Sequence, residues 1–487
     1  MSFISIQFIL FLLVVFVIYY LPIKKALFQN FVLLIASMTF ILLYDKAMIV
    51  TFFVTILFTY IAGIWIQKSN KKKLALIISI SIDLLILLLL KYSSFFAQYP
   101  ILSIVGNATS GLIDKYSLFL PLGISFYTLA LIGYLVDIYR KKIIPENDII
   151  NFMTFASYFP HILQGPIARY EKFANQLRNY RKFDYDRMVD SFQLILWGYI
   201  KKMIIADRAA IFVNAVYEND FTGNGTVAFI ASLLYTIQIY SDFSGCVDIA
   251  LGVSKLLGIE LMENFSTPYL SASSKEFWRR WHISLSSWFK DYVYIPLGGN
   301  RKGSFRKGIN VLIVFLISGF WHGVGMHFIV WGLIHGIYQI IGDFWKPIKE
   351  KLNAKLVKYG WNQHTFDIIV TFNLVNIAWI FFRSSNVTQA FGIIKNIVTA
   401  QNISSLFDGT LFNYGLSEKS FFVLIFFIIL LIIVDVCQYL GMDIGLWIKQ
   451  RFVLLRWGIW ITGIMCVVVL GIYGTKYNAA DFIYMKF

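Results

Sequence analysis

Apolar residues fall along this chain in long runs separated by short polar stretches. The runs 3–21, 26–44, 48–66, 74–90, 118–136, 226–240, 245–258, 309–321, 324–344, 366–382, 420–440 and 457–473 predict helices. A helix of roughly 20 apolar residues crosses the ~30 Å hydrocarbon layer of a bilayer, and lipid leaves helix as the economical way to satisfy the backbone. The shorter runs predict broken or re-entrant helices, and 150–168 and 192–217 predict partly inserted helix. The pattern as a whole predicts an all-α polytopic integral membrane protein with about 11 transmembrane helices. The first run lacks a basic start and a small-residue cleavage site, and a second run follows at once, so it is expected to stay as a helix.

Composition sharpens this picture. The 487 residues are 58% hydrophobic and only 14% charged, with a mean hydropathy of +0.68. Soluble domains run near 45–50% apolar and about 25% charged, which excludes a water-soluble core. Cys246, Cys437 and Cys466 stand singly inside apolar runs, so they predict neither a disulfide framework nor a metal cluster. The net charge of +16 is clustered at 24–25, 71–73, 140–142, 169–188, 275–308, 346–358 and 449–456. Alternation of these clusters with Lys- and Arg-poor loops predicts cytoplasmic basic loops and both termini outside. Basic loops that set topology and touch lipid headgroups account for the charge without nucleic acid.

The longest hydrophilic stretch, SSKEFWRRWHISLSSWFKDYVYIPLGGNRKGSFRKG at 273–308, opens with a helical pattern. At 100° per residue, Trp278, Trp281, Leu285, Trp288 and Phe289 share one arc, with Arg280, Ser287 and Asp291 opposite. That predicts an amphipathic helix at a membrane interface, with His282 at the margin of its aromatic arc. The following PLGGNRKG lacks P-loop spacing, and reads either as a phosphate cradle or as a tight turn between helices.

Three of the six histidines, His322, His327 and His335, lie within GFWHGVGMHFIVWGLIHG at 319–336. Gly319, Gly323, Gly325, Gly332 and Gly336 in that stretch predict close helix approach. His322 and His327 are five apart, which does not place both on one helical face, and no Cys or carboxylate lies nearby to complete a metal shell. A neutral imidazole inside an apolar bundle suits acid–base chemistry instead. The residues alone thus predict a buried polar catalytic site and leave its reaction unnamed.

FWRRWHISLSSWFKDYVYIPLGGNRKG followed by GFWHG and VWGLIHG closely resembles the membrane-bound O-acyltransferase (MBOAT) family. The resemblance lies in its bacterial branch of alginate, peptidoglycan and cellulose O-acetylation proteins, with teichoic acid D-alanyl transfer proteins as more distant cousins. PLGISFYTLALIGYLVDIYR at 121–140, YFPHILQGPIARY at 158–170, YSDFSGCVDIALG at 240–252, WIFFRSSNVTQAF at 379–391 and the tail DFIYMKF at 481–487 agree with it. Residues 118–487 therefore resemble an MBOAT catalytic membrane core, with 1–117 as generic N-terminal transmembrane helices.

The resemblance implies tilted helices around a central tunnel and an O-acyltransferase of the bacterial cytoplasmic (inner) membrane. It implies His335 and His282 as catalytic residues, His335 as general base and His282 as a donor to the oxyanion or a group that orients the donor substrate. His322 matches a position of the O-acetylation branch, where it either holds the tautomer of His335 or lines an outer funnel; His327 reads as structural. Trp278, Arg279, Arg280, Trp281, Ser286, Asp242 and Asn300 are the candidate substrate-binding residues. Asp242 and Asp248 are expected to pair with arginine such as Arg279 or Arg280, and Asp137 with Arg140 at a helix end; Asp83 has no assigned role. No bound cofactor or metal is implied. The donor would be acetyl-CoA or another acyl thioester, the acceptor a polysaccharide, and the partner a secreted or membrane-anchored acetyltransferase. D-alanyl transfer to a wall polymer and a non-catalytic acyl or glycan transporter are the alternatives. A haem or zinc oxidoreductase fits the ligand spacing poorly.

Overall fold

The computed structural model describes residues 2–44, 48–92, 123–162, 164–218, 223–356 and 363–473. The tail motif at 481–487, the start of the motif at 121–140 and the expected boundary at 117/118 lie outside the described residues. Among those described, the chain is helical, and its only extended pairing is an isolated β-bridge between Phe265 and Trp281. Nine described helices are long and apolar enough to cross a membrane, and Ile6–Tyr19 and Ile124–Tyr139 are shorter apolar helices. Large apolar side chains such as Leu10, Leu13, Phe426 and Val468 are exposed on these helices, as expected where the solvent is lipid.

One expectation fails instructively. The runs 226–240 and 245–258 form a single helix, Gly225–Leu256. The polar stretch between them does not break it, because Asp242 and Ser244 bond side chains of another helix while the backbone stays helical. With no proline in the stretch, nothing forces an interruption.

The chain forms two compact units, Met1–Ile195 with Val247–Met262, and Leu196–Cys246 with Glu263–Phe487. The first is held by polar bonds inside an apolar bundle. The Gln29 side chain donates to Arg181 O and accepts from Arg181 N, both at 2.8 Å, imitating a backbone pair. The Tyr19 hydroxyl donates to Leu257 O at 2.8 Å, satisfying a carbonyl just past the end of the long helix. Asp83 is fully buried and accepts from Thr59 Oγ1 at 3.3 and 3.4 Å. Asp137 faces Lys142 at 3.5 Å at the end of its helix.

The second unit is built on the hairpin of Gly303–His322 and Met326–Leu356. Its crossing depends on two glycines: a Cβ on Gly319 would lie 2.4 Å from Phe328 O, and one on Gly332 would lie 2.3 Å from Phe315 O. Gly336 abuts Leu312, whereas Gly323 and Gly325 face Phe328 and His327 at the turn. Helices Gln363–Arg383, Glu418–Tyr439 and Val453–Leu470 complete the apolar spans. Two π-helical turns, Ile200–Ala206 and Lys290–Tyr294, interrupt the regular helix; such turns recur at functional sites.

Candidate active site

The segment expected as one amphipathic helix is two short ones, Ser274–Arg280 and Ile283–Phe289, hinged at Trp281 and His282. His282 holds φ at +46°, the left-handed region that a non-glycine residue occupies only under constraint. The constraint comes from Asn264–Ser266. Ser266 N donates to Arg280 O and Ile283 N donates to Asn264 O, both at 3.0 Å, clamping the hinge from both sides. The amphipathic pattern failed to show this because both halves keep their aromatic residues inward: Phe277, Trp281, Leu285, Trp288 and Phe289 are all buried.

The same asparagine fixes the His282 imidazole. Asn264 Oδ1 accepts from Ser284 N at 3.0 Å and from Ser284 Oγ at 2.9 Å, and faces His282 Nδ1 at 3.2 Å. A backbone N–H can only donate, so this atom is the amide oxygen and His282 Nδ1 must carry the proton. His282 is 1% exposed, and burial pushes its pKa down to about 3, so the ring is neutral at physiological pH.

His335, on Met326–Leu356, is fully buried in a cage of rings. Trp278, Trp331 and Tyr338 meet it edge-on with centroids at 5.0, 5.1 and 6.0 Å, and Phe277 lies parallel at 6.2 Å. Trp278 Nε1 donates to His335 Nδ1 at 3.2 Å. An indole N–H has no acceptor capacity, so Nδ1 is bare and the neutral ring carries its proton on Nε2. The two histidines thus hold opposite tautomers. His335 Nε2 is buried without a hydrogen-bond partner among the described residues, and so are Nε1 of Trp331 and of Trp379. Trp379 stacks on Trp331 at 5.8 Å and lies 6.2 Å from His335.

His322 is buried beside Trp331, with centroids 5.1 Å apart, and beside Phe382 at 5.2 Å. Rings connect all three histidines: His282 to Trp321 at 6.5 Å, Trp321 to His322 at 4.8 Å, and Trp331 between His322 and His335. The tautomer of His335 is set by Trp278, not by His322. His327 is half-buried at the start of its helix, outside this series.

Of the other expected residues, Trp281 is packed at 5.1 Å from Trp379. Ser286 Oγ donates to Trp281 O at 3.3 Å, a bond that stabilises the hinge. Arg280 pairs with Glu276 at 2.8 Å, donates to Thr267 Oγ1 at 3.0 Å and lies 4.9 Å over the Tyr439 ring, while Arg279 is exposed. Asn300 is exposed in the glycine turn, which buried Asn310 holds from within through Gly299 O at 2.8 Å. Neither arginine pairs with Asp242. That carboxylate meets Lys202 at 2.5 Å, and Lys202 also meets Asp207 at 2.7 Å, all three side chains being at most 2% exposed. The π-turn at 200–206 places both lysines inward, where Lys201 donates to Ser244 Oγ at 2.9 Å. Cys246 is buried beside this cluster. Among the described residues, no three His, Cys, Asp or Glu side chains converge as a metal site.

Asn264, Lys202, Trp331 and Trp379 are thus structural determinants of the site that sequence reasoning did not single out. Trp331 and Trp379 stand inside quoted motifs, so a buried tryptophan within a motif was the available signal. Nothing in the sequence linked Asn264 to His282.

The model of the family described as MBOAT, membrane-bound O-acyltransferase, matches residues 41–382. The chain is 35% identical over 388 residues to a probable alginate O-acetylase AlgI of Pseudomonas aeruginosa, covering 78% of this chain and 72% of the relative. It is 31% identical over 411 residues to a peptidoglycan O-acetyltransferase of Helicobacter pylori, covering 78% and 76%. To a teichoic acid D-alanyltransferase of Bacillus subtilis it is 32% identical over 282 residues, covering 54% and 68%.

Proposed function

From the premise that this chain belongs to the membrane-bound O-acyltransferase family and is a multi-pass membrane enzyme, we propose that it moves acetyl from a cytoplasmic thioester to a polysaccharide outside the cell. Acetyl-CoA is the donor, reaching the site from the side of the basic segment 273–308. The acceptor hydroxyl comes from the opposite side, through a tunnel between the helices. The membrane is the bacterial cytoplasmic one, with both termini outside. The acetyl group reaches the polymer directly or through a secreted or membrane-anchored acetyltransferase partner.

The observation that carries this reading is His335. It is a neutral imidazole fully buried in an aromatic cage, with Trp278 on one nitrogen and no hydrogen-bond partner on the other among the described residues. Exclusion of water protects a thioester from hydrolysis and strengthens every electrostatic contact to the reacting carbonyl. Acetyl is favoured over D-alanyl because the acetylases cover more of this chain than the D-alanyltransferase does. A transporter reading leaves the buried imidazoles without a task.

The test is transfer from labelled acetyl-CoA in membranes carrying wild type, His335→Ala, His282→Ala or His322→Ala, counting label in polysaccharide or in a partner protein. Insertion and folding are followed by gel filtration in detergent. Loss of labelling in a folded His335→Ala protein supports the assignment. Wild-type labelling in that variant removes His335 from the reaction and the acetyltransfer site with it.

A further inference from the structure

Between the spans Gln363–Arg383 and Glu418–Tyr439 the chain does more than turn round. It forms a 13-residue helix, Val387–Thr399, and two 3₁₀ turns, Ile403–Leu406 and Thr410–Asn413. At about 1.5 Å per residue that helix is ~20 Å long, short of the ~30 Å hydrocarbon layer. The segment follows directly on Phe382, which meets His322 and Phe328 at 5.2 and 5.1 Å. It therefore lies at the end of the second unit where the hairpin turns, and the glycine turn before Gly303 lies at the other end of the hairpin.

One side of this segment is pinned. Gly225 N donates to Ala400 O at 2.8 Å and Asn402 N to Thr226 Oγ1 at 3.1 Å. Thr226 Oγ1 donates to Gln401 Oε1 at 2.8 Å, and Asn224 Nδ2 to Ser405 Oγ at 2.6 Å. These bonds tie it to the start of helix Gly225–Leu256, so closely that a Cβ on Gly225 would lie 2.1 Å from Asn396 O. The other side is apolar and exposed: it presents Phe391, Val398, Ile403, Leu406 and Phe407, the last 85% exposed. Residues 387–416 carry two charged side chains, Lys395 and Asp408. Asp408 is bound back into its own turn, accepting from Thr410 N at 2.9 Å and Thr410 Oγ1 at 2.5 Å.

An exposed apolar patch with a polar back marks contact with a protein or with a membrane. Ring contacts favour the membrane. Phe391 packs on Phe381 of the preceding span at 5.3 Å, and Phe412 packs on Phe422 of the following span at 6.4 Å. Phe422 is itself 60% exposed among the outward-facing side chains of that span, with Phe426 and Ile429. The apolar side of the segment thus continues the surface that a span turns to lipid. We propose that 387–416 is a membrane-interface platform that rests its exposed apolar side chains on lipid at the headgroup boundary and holds the start of helix Gly225–Leu256 at that depth. A short helix with an apolar face and no length to cross is suited to lie in the interface plane.

The test is the depth of fluorescent labels on the full chain in liposomes of phosphatidylethanolamine and phosphatidylglycerol. Labels are placed by Phe407→Cys and, separately, Ile403→Cys, with Cys437→Ser and Cys466→Ser as background; Cys246 is buried out of reach. Glu218→Cys is the aqueous reference, since Glu218 is an exposed acid paired with Arg383 at the same end. Nitroxide lipids should quench the labels at 407 and 403 several-fold more than the label at 218, and should place them about 5–10 Å into the headgroup boundary. Aqueous iodide should quench in the reverse order. Labels at 407 and 403 that iodide reaches as readily as 218 would put the segment in water and overturn the proposal. Labels shielded from both quenchers would mean that protein covers this face, which overturns it as well.

Discussion

Lys202 is where the structure makes its sharpest energetic commitment. Its ammonium lies 2.7 Å from Asp207 and 2.5 Å from Asp242, and none of the three side chains is more than 2% exposed. Removing the lysine leaves two carboxylates buried together, the situation in which losing one partner of a buried pair costs about 3–5 kcal/mol. Removing one acid is different, because Lys202 keeps the other as counter-ion. Lys202→Met should therefore be severe and Asp242→Asn mild, near ~1 kcal/mol, although both delete one member of the same pair. At roughly 2–4 °C per kcal/mol for a large domain, Lys202→Met should lower the apparent melting temperature by about 6–20 °C in detergent. Asp242→Asn should shift it by a few degrees at most. Adding Asp242→Asn to Lys202→Met should recover part of the loss, since one buried charge then disappears. Thermal unfolding followed by gel filtration or tryptophan emission measures all three proteins. Equal losses in the two single variants, or strictly additive losses in the double variant, would refute the charge argument and leave packing as the cause.

Other outcomes follow from single contacts. Gly332→Ala should destabilise by about 1–3 kcal/mol, because its Cβ would come within 2.3 Å of Phe315 O; Gly342→Ala, with open space around its Cβ, should be neutral in the same melting assay. Burial lowers the His282 pKa to about 3, below the ordinary 6.5 of the unfolded chain, so the unfolded state binds the extra proton between these values. Stability is then complete above pH 6.5 and falls on acidification, by about 2 kcal/mol at pH 5; His282→Gln should flatten the melting temperature between pH 7.5 and 5, and an unaltered acid limb would count against it. Asp83→Asn should be neutral or raise the melting temperature by a few degrees, since among the described residues the buried carboxyl meets only the Thr59 hydroxyl. A clear loss would mean that a cation outside the described residues meets it.

Hydrophobic periodicity located the spans well because a bilayer enforces one length and one composition on each of them. It erred at 241–244 and at 281–282, in opposite senses. Ser241–Ser244 looked like a break and is continuous helix, with Asp242 and Ser244 met by lysine side chains from the 200–206 turn. Trp281–His282 looked continuous and is a hinge, since the backbone of Asn264–Ser266 captures the peptide groups on either side. Both errors have one origin. Whether a polar or strained position interrupts a helix is decided by a partner that local sequence does not contain.

The site was legible in the same measure. Histidines within apolar segments announce themselves by the cost of burying them, which is why His322 and His335 could be singled out as candidates without a structure. Their chemistry could not be. Proton placement on His335 depends on a tryptophan 57 residues earlier, and that on His282 on an asparagine 18 residues earlier. Asp242 was matched to the arginines of a neighbouring motif, yet its counter-ion is a lysine 40 residues before it. An imidazole's role is set by which nitrogen is occupied, and occupancy is a property of tertiary contacts. Residue identity therefore carries the location of this site, and the partners that folding brings to each ring carry its mechanism.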